Sequence, residues 1–374
     1  MTDRARRPAR SPVSRRRVRV LAAAALLLST GATLLAVEAA LRIRRGGLFS
    51  ATPPAPEARM TGGRYPGSWD ARLGFVPTPH TKGRIDPWRT RVTIDADGLR
   101  TNGPQPRPPG PAILAVGDSF TFGDEVDDGE TWPAALERRI GRPVWNGGVF
   151  GYGLDQMVLR AEALLTRGGF DTLIVSAIPD DVLRCAYSYR FGHKPYFDLE
   201  AGELVLRNVP VPTPDVPAPG ENGLRRTLRR SFLAELVAQR LDPPGWLVRG
   251  NVRVHRRERE VAVALIDRLA DQANRLGHAL LLVAAWHPGA RTQPLAPALA
   301  RADARGVAVL RLETVLRRAM EARDGLFTTR DRAGRREYGH MTAEGNELVA
   351  GKIAQRLLGQ HATRAGILRG PIGR

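Results

Sequence analysis

The sequence predicts an α/β domain with a parallel sheet covered by helices on both faces, preceded by one membrane-spanning helix. From Pro111 onward, short apolar runs alternate with segments of helical spacing, the pattern of strands and helices in turn. The runs are apolar throughout, as in strands buried on both faces. Near the N-terminus, residues from about Val20 to Ile43 carry no charge for roughly eighteen positions before Glu38, near the lower length for a bilayer-spanning helix.

The chain has 374 residues, and 43% of them are hydrophobic. That allows one large domain with a substantial core and excludes global disorder. The net charge is +19, but much of the excess lies in the first 45 residues around the apolar run and the rest is scattered. No basic arm or groove is marked out, so nucleic acid is not an expected partner. The basic residues are nearly all arginine; Lys82, Lys194 and Lys352 are the lysines. Cys185 is the single cysteine. It excludes an intramolecular disulfide and a Cys/His zinc framework, and no metal or cofactor is implied.

Residues 1–19, rich in Arg, Pro and Ser, are expected to be a disordered basic tail in the cytoplasm. Residues 20–43 are expected to be a signal anchor. A cleaved signal peptide and a buried soluble helix compete with that reading. Against the first, no sharp cleavage site precedes a mature start. Against the second, the segment is apolar all round until Glu38. Arg15, Arg16 and Arg17 precede the span and fewer positive charges follow it, which places the bulk of the chain outside the cytoplasm. Residues 44–66 read as a Gly/Pro/Ala-rich linker. Residues 67–110 read as a small β-rich lead-in, with alternation in Arg91–Ile94 ending in a turn.

The main domain is expected over 111–360, with a tail over 361–374. AILAVGD is its first strand and WPAALERRI its first helix; Val144 and Trp145 begin the second strand. DQMVLRAEALLTRGG is a helix that stops at Gly168-Gly169, and DTLIVSAI is the third strand. An insertion over about 184–250 contains a hairpin, Phe197–Glu200 and Leu204–Arg207, around Gly202. A helix near 255–277 leads to ALLLVAAW, the fourth strand, and VAVLRLE is the fifth. The closing helix has Thr342 at its N-cap.

The sharpest local feature is Gly117-Asp118-Ser119 directly after the first strand. It exposes a hydroxyl at the sheet's carboxyl edge, beside backbone N–H groups able to hold an anion. Alone, the same residues also fit an Asp/Ser helix cap. A serine nucleophile needs a base. His340, in Glu337-Tyr338-Gly339-His340 before the last helix, is the candidate, and Glu337 three positions earlier can orient the imidazole. His287, after the fourth strand, is the rival on position.

Taken together, these residues resemble the SGNH/GDSL hydrolase superfamily over about 111–358. Gly117-Asp118-Ser119 matches its first block, Asn146-Gly147-Gly148-Val149-Phe150-Gly151 its second, and Glu337-Tyr338-Gly339-His340 its last, in the same order. Ile94–Arg100 also resembles the lead-ins of membrane-anchored bacterial members. The resemblance implies a three-layer α/β/α fold with a flavodoxin-like sheet, and an oxyanion hole to which Gly151 gives its N–H. Two positions depart from the pattern. Glu337 replaces the usual Asp. Asp180, in Ser176-Ala177-Ile178-Pro179-Asp180-Asp181, stands where an Asn side chain donates to the oxyanion. An ionised carboxylate only accepts hydrogen bonds, and losing one such donor costs roughly 10²–10³-fold in rate. Asp180 and Asp181 also fit a solvated turn and helix cap.

Two functions are thereby expected. One is a membrane-anchored, extracytoplasmic serine esterase or O-acyltransferase acting on an acylated small molecule, lipid or glycan of the envelope. The other is a weak or inactive module of the same fold that binds an envelope ligand or partner.

Overall fold

The computed structural model describes residues 15–44, 67–85, 90–214 apart from 105, 251–290, 292–332 and 335–367, with shorter stretches between 216 and 237. Most of the basic tail, the linker, much of the insertion beyond 220 and the last residues of the C-terminal tail lie outside the described residues. The chain divides into two compact units, residues 1–53 with 220–249, and residues 54–219 with 250–374.

In the first unit, helix α1 spans Arg15–Arg44. It is long and apolar enough to cross a membrane. The carboxylate of Glu38 accepts hydrogen bonds from Ser231 Oγ and from the backbone N–H groups of Phe232 and Leu233.

The second unit opens with two hairpins. Strands β1 (Gly67–Asp70) and β2 (Gly74–Pro77) form one, β3 (Lys82–Ile85) and β4 (Thr90–Thr93) the other. The main sheet has five parallel strands: β5 (Ala112–Gly117), β6 (Val144–Asn146), β7 (Phe170–Ala177), β12 (Ala279–Ala284) and β13 (Ala308–Arg311). Its spatial order is β13-β12-β7-β5-β6. Numbered along the chain, that is the 2-1-3-4-5 order of doubly wound sheets, and the winding reverses between β5 and β7.

The strands are apolar on both sides because each side has its own core. Leu114, Val116, Leu173, Val175 and Leu282 face one layer. Ile113, Ala115, Ile174, Leu281 and Val283 face the other. The first layer holds α4 (Leu154–Leu165), α6 (Glu258–Leu276) and α7 (Ala296–Ala304); the second holds α3 (Trp132–Ile140), α8 (Glu313–Ala322) and α9 (Ala343–Ile367). Two short helices, α2 (Ser119–Phe122) and α5 (Pro179–Arg184), start at the carboxyl ends of β5 and β7. Thr342 Oγ1 accepts from Gly345 N at 3.2 Å, as expected of the N-cap of α9.

The lead-in is wired to the loop after β5. Arg100 is fully buried and donates to the carbonyls of Arg91, Phe122, Gly123 and Val126 and to Asp128 Oδ1. Four of these five contacts thus satisfy the loop after β5, and the fifth holds the guanidinium to β4. In the insertion, β9 (Tyr196–Glu200) and β10 (Glu203–Arg207) form the expected hairpin around Gly202. Strand β8 (Tyr187–Arg190) pairs with the distant β11 (Asn251–Arg253). Lys194 ties the insertion to α4 by a buried ion pair with Asp155 at 2.6 Å.

Candidate active site

Ser119 is the first residue of α2 at the carboxyl end of β5, next to the point where the winding reverses. Asp118 caps this helix, accepting from Phe120 N at 3.0 Å. Gly117 lets the chain turn so sharply: a Cβ there would collide with Thr121 Oγ1 and lie 2.7 Å from Ser176 O. Gly123 ends the helix at φ 92°, in the left-handed region.

His340 lies 221 residues away in sequence but places Nε2 2.8 Å from Ser119 Oγ. It comes from a hairpin of β14 (Phe327–Arg332) and β15 (Arg335–Met341). In the ladder Phe327 opposes Met341 and Thr329 opposes Tyr338, so Gly339 and His340 together face Thr328. Such a bulge re-aims a side chain, and here the imidazole reaches the serine.

Glu337 is not the carboxylate that holds His340. It is exposed on β15 opposite Arg330 and makes no contact with His340 among the described residues. The segment is an extended strand, and three residues of strand cover about 10 Å, beyond hydrogen-bond reach. Glu125 takes the place instead, with Oε1 3.3 Å from His340 Nδ1. Its φ of 72° brings the backbone round after α2, and the Thr328 hydroxyl donates to its other oxygen. Gly339 makes room for it: a Cβ there would sit 2.8 Å from Glu125 Oε2.

A second carboxylate lies beside the first. Asp124 is buried, with Oδ2 3.9 Å from His340 Nε2 and neither oxygen hydrogen-bonded. Burial raises its pKa to about 7, against the lowering charges of His340 and Arg100. For His340, burial favours the neutral imidazole, but the hydrogen bond to Glu125 and the charges of Asp124, Glu125 and Asp118 outweigh it and raise its pKa. Neither acidic group stood out in the sequence.

Two backbone N–H groups near Ser119 are left without a partner among the described residues. Gly151 adopts φ 69° after β6. Neither its N–H nor that of Ser119 donates to another described residue. Asn146 holds this loop onto α2, donating to Thr121 O at 3.0 Å and accepting from Gly148 N.

Asp180 and Asp181 divide their roles. Asp181 is buried, accepts from Ile178 N at 2.8 Å and pairs with Arg184, which also meets Asp118 at 3.2 Å. Burial and the neighbouring Asp118 push the Asp181 carboxyl well above the usual range. Asp180 is half-exposed and faces His287, with Oδ2 3.4 Å from Nε2. The hydrogen bond to His287 lowers its pKa, so it is ionised at neutral pH and offers no donor. His287 stacks on Phe120, 5.9 Å between centroids. The Phe120 ring also packs against His340 at 4.9 Å.

No protein-family model matches the sequence, and no curated protein matches it. Solved structures do. One is a protein of the G-D-S-L family from Desulfitobacterium hafniense DCB-2, with 16% identity, a TM-score of 0.38 and coverage of 66% of this chain and 99% of that one. Another is the lipase/acylhydrolase from Enterococcus faecalis, with 14% identity, a TM-score of 0.35 and coverage of 67% and 96%. A third is a variant of an acetyl-xylooligosaccharide esterase from Geobacillus stearmophilus, with 12% identity, a TM-score of 0.37 and coverage of 67% and 94%.

Proposed function

We propose that this chain is a serine hydrolase of the SGNH/GDSL type, more specifically a membrane-anchored esterase or O-acyltransferase of the cell envelope. The observation that carries this reading is the relay itself: Ser119 Oγ, His340 Nε2 at 2.8 Å, and Glu125 on His340 Nδ1 at 3.3 Å. Nucleophile, base and orienting carboxylate stand in the order that acyl transfer requires.

Ser119 Oγ attacks an acyl carbonyl; the new O–C bond forms as the carbonyl π pair moves to oxygen and the hydroxyl proton passes to His340 Nε2. Glu125 stabilises the imidazolium. The N–H groups of Ser119 and Gly151 receive the oxyanion. Collapse breaks the ester C–O bond, and His340 returns the proton to the leaving alkoxide. Water or an acceptor hydroxyl then takes the acyl group from Ser119 by the reverse sequence. The substrate is an acylated small molecule, lipid or glycan outside the cytoplasm. Helix α1, which begins with Arg15–Arg17 ahead of its apolar run, supports the anchor and its orientation.

A second reading, a module that binds but hardly turns over, is favoured by Asp180, which is ionised where a donor is needed. Hydrolysis of p-nitrophenyl acetate by the detergent-solubilised full chain separates the two. Turnover that disappears in both Ser119→Ala and His340→Ala supports the enzyme; turnover absent from the wild type supports the binding module.

A further inference from the structure

The site as built poses an electrostatic problem. In the proposed reaction the N–H groups of Ser119 and Gly151 receive the oxyanion, while Asp180, which the resemblance puts in the third position, carries a negative charge. Opposing that charge requires a cation near Gly151, and one is present.

Arg190 ends strand β8 of the insertion. Its N–H donates to Gly192 O at 2.8 Å, closing a tight turn. Within the turn Phe191 has φ 61°, a left-handed conformation that is strained for a non-glycine residue. The turn lays both side chains against the oxyanion glycine. A Cβ built on Gly151 would meet Phe191 Cε2 at 3.1 Å and Arg190 Nη1 at 3.4 Å. Arg190 Nη1 is 3.5 Å from Gly151 O, and its guanidinium lies over the Phe191 ring at 4.4 Å. Phe150, one residue before Gly151, also packs on Phe191, with ring centroids 5.3 Å apart.

Unlike its neighbour, Arg190 has no carboxylate within ion-pair distance among the described residues. Arg184 is neutralised by Asp118 and Asp181. Arg190 forms no ion pair among the described residues, and one long contact to a carbonyl leaves most of its five donors open. Burial first, then repulsion from Arg184, pulls its pKa down to about 10; it remains charged at neutral pH but poorly solvated. A cation in that state gains most from a nearby anion. Asp180 is too far for an ion pair and is already engaged by His287.

We propose that Arg190 supplies the oxyanion-stabilising charge that Asp180 cannot, so that the insertion completes the oxyanion hole. This rests on the serine-hydrolase reading above and assigns a third, positively charged contributor to the same site. The strained turn, the glycine that admits it and the unpaired guanidinium then have one common explanation.

The test uses the detergent-solubilised full chain and two esters, neutral p-nitrophenyl acetate and the anionic p-nitrophenyl hemisuccinate. Arg190→Gln lowers kcat on the neutral ester by roughly 10–100-fold, the scale of a single oxyanion contributor, with KM little changed. Arg190→Lys retains much of the rate, because charge and not shape is at issue. Asp180→Asn raises kcat by a larger factor in the Arg190→Gln background than in the wild type, because the restored donor and the lost cation serve one oxygen. The inference is overturned if Arg190→Gln leaves kcat on the neutral ester intact and raises only KM for the anionic one, since Arg190 would then recognise a substrate anion. It is also overturned if Lys is no better than Gln. Absence of Ser119-dependent turnover in the wild type overturns the hydrolase reading itself, a distinguishable result.

Discussion

Replacing Asp124 by Asn should flatten the pH dependence of stability. The folded carboxyl titrates near pH 7 because it is buried without a hydrogen-bond partner, whereas its ordinary value is 3.8. Below pH 4 both states hold the proton. Between about pH 4 and 7 the folded chain keeps a proton that the unfolded chain has released, so stability falls as pH rises, and above 7 the loss is complete. At 1.36 kcal/mol per pH unit, the interval from 3.8 to about 7 corresponds to a ceiling of about 4 kcal/mol. Asn is close in shape and cannot ionise, so the variant escapes this loss. Urea unfolding followed by the fluorescence of the buried Trp132 and Trp286 reads the difference at pH 5 and pH 8. The variant should gain on the wild type at both values and clearly more at pH 8, because at pH 5 only about the first third of the interval between 3.8 and about 7 has been crossed. Parallel curves for the two proteins would refute the reasoning, because Asp124 would then be solvated or paired in solution.

Other consequences concern the relay, the oxyanion side and the anchor. Glu125→Gln should cut kcat/KM by about 10²-fold or more, as when the acid of a triad is neutralised, while Glu337→Gln should change it little; equal loss from Glu337→Gln would return the orienting role to that residue. Asp180→Asn should raise turnover by about tenfold across the neutral range, because the carboxylate is already ionised there; a loss at every pH would show that the charge itself is needed. A reporter active only outside the cytoplasm, fused after Arg374, should be active, and an inactive reporter in a stable fusion would reverse the orientation of α1.

The layers were legible because burial on two faces leaves an unmistakable trace. Ala112–Gly117 and Phe170–Ala177 are apolar on both sides of the pleat, and the glycines at 168 and 169 end the preceding helix with positive φ. Ser119 was legible for a related reason: a small polar turn cuts off a buried strand. The hairpin that delivers His340 was not, since β14 and β15 are rich in charged residues and lack alternation. Read as a loop, the segment makes Glu337 a plausible partner; as an extended strand with a bulge, it makes Glu337 remote. Glu125 and Asp124 follow α2 in a loop whose course is fixed by Arg100 from the lead-in, a contact no local pattern announces. Arg190 depends on the pairing of β8 with β11, sixty residues apart, and on a left-handed Phe191 that sequence gives no reason to expect.

The central claim is that Ser119 is a nucleophile activated by His340. Its most direct measurement is covalent capture: incubating the full chain with a fluorophosphonate probe and locating the adduct by peptide mass spectrometry. A single phosphonyl adduct on Ser119, formed far more slowly in His340→Ala and absent in Ser119→Ala, is the predicted result. An unlabelled Ser119 in folded wild-type protein, or an adduct whose rate is unaffected by His340→Ala, would contradict it.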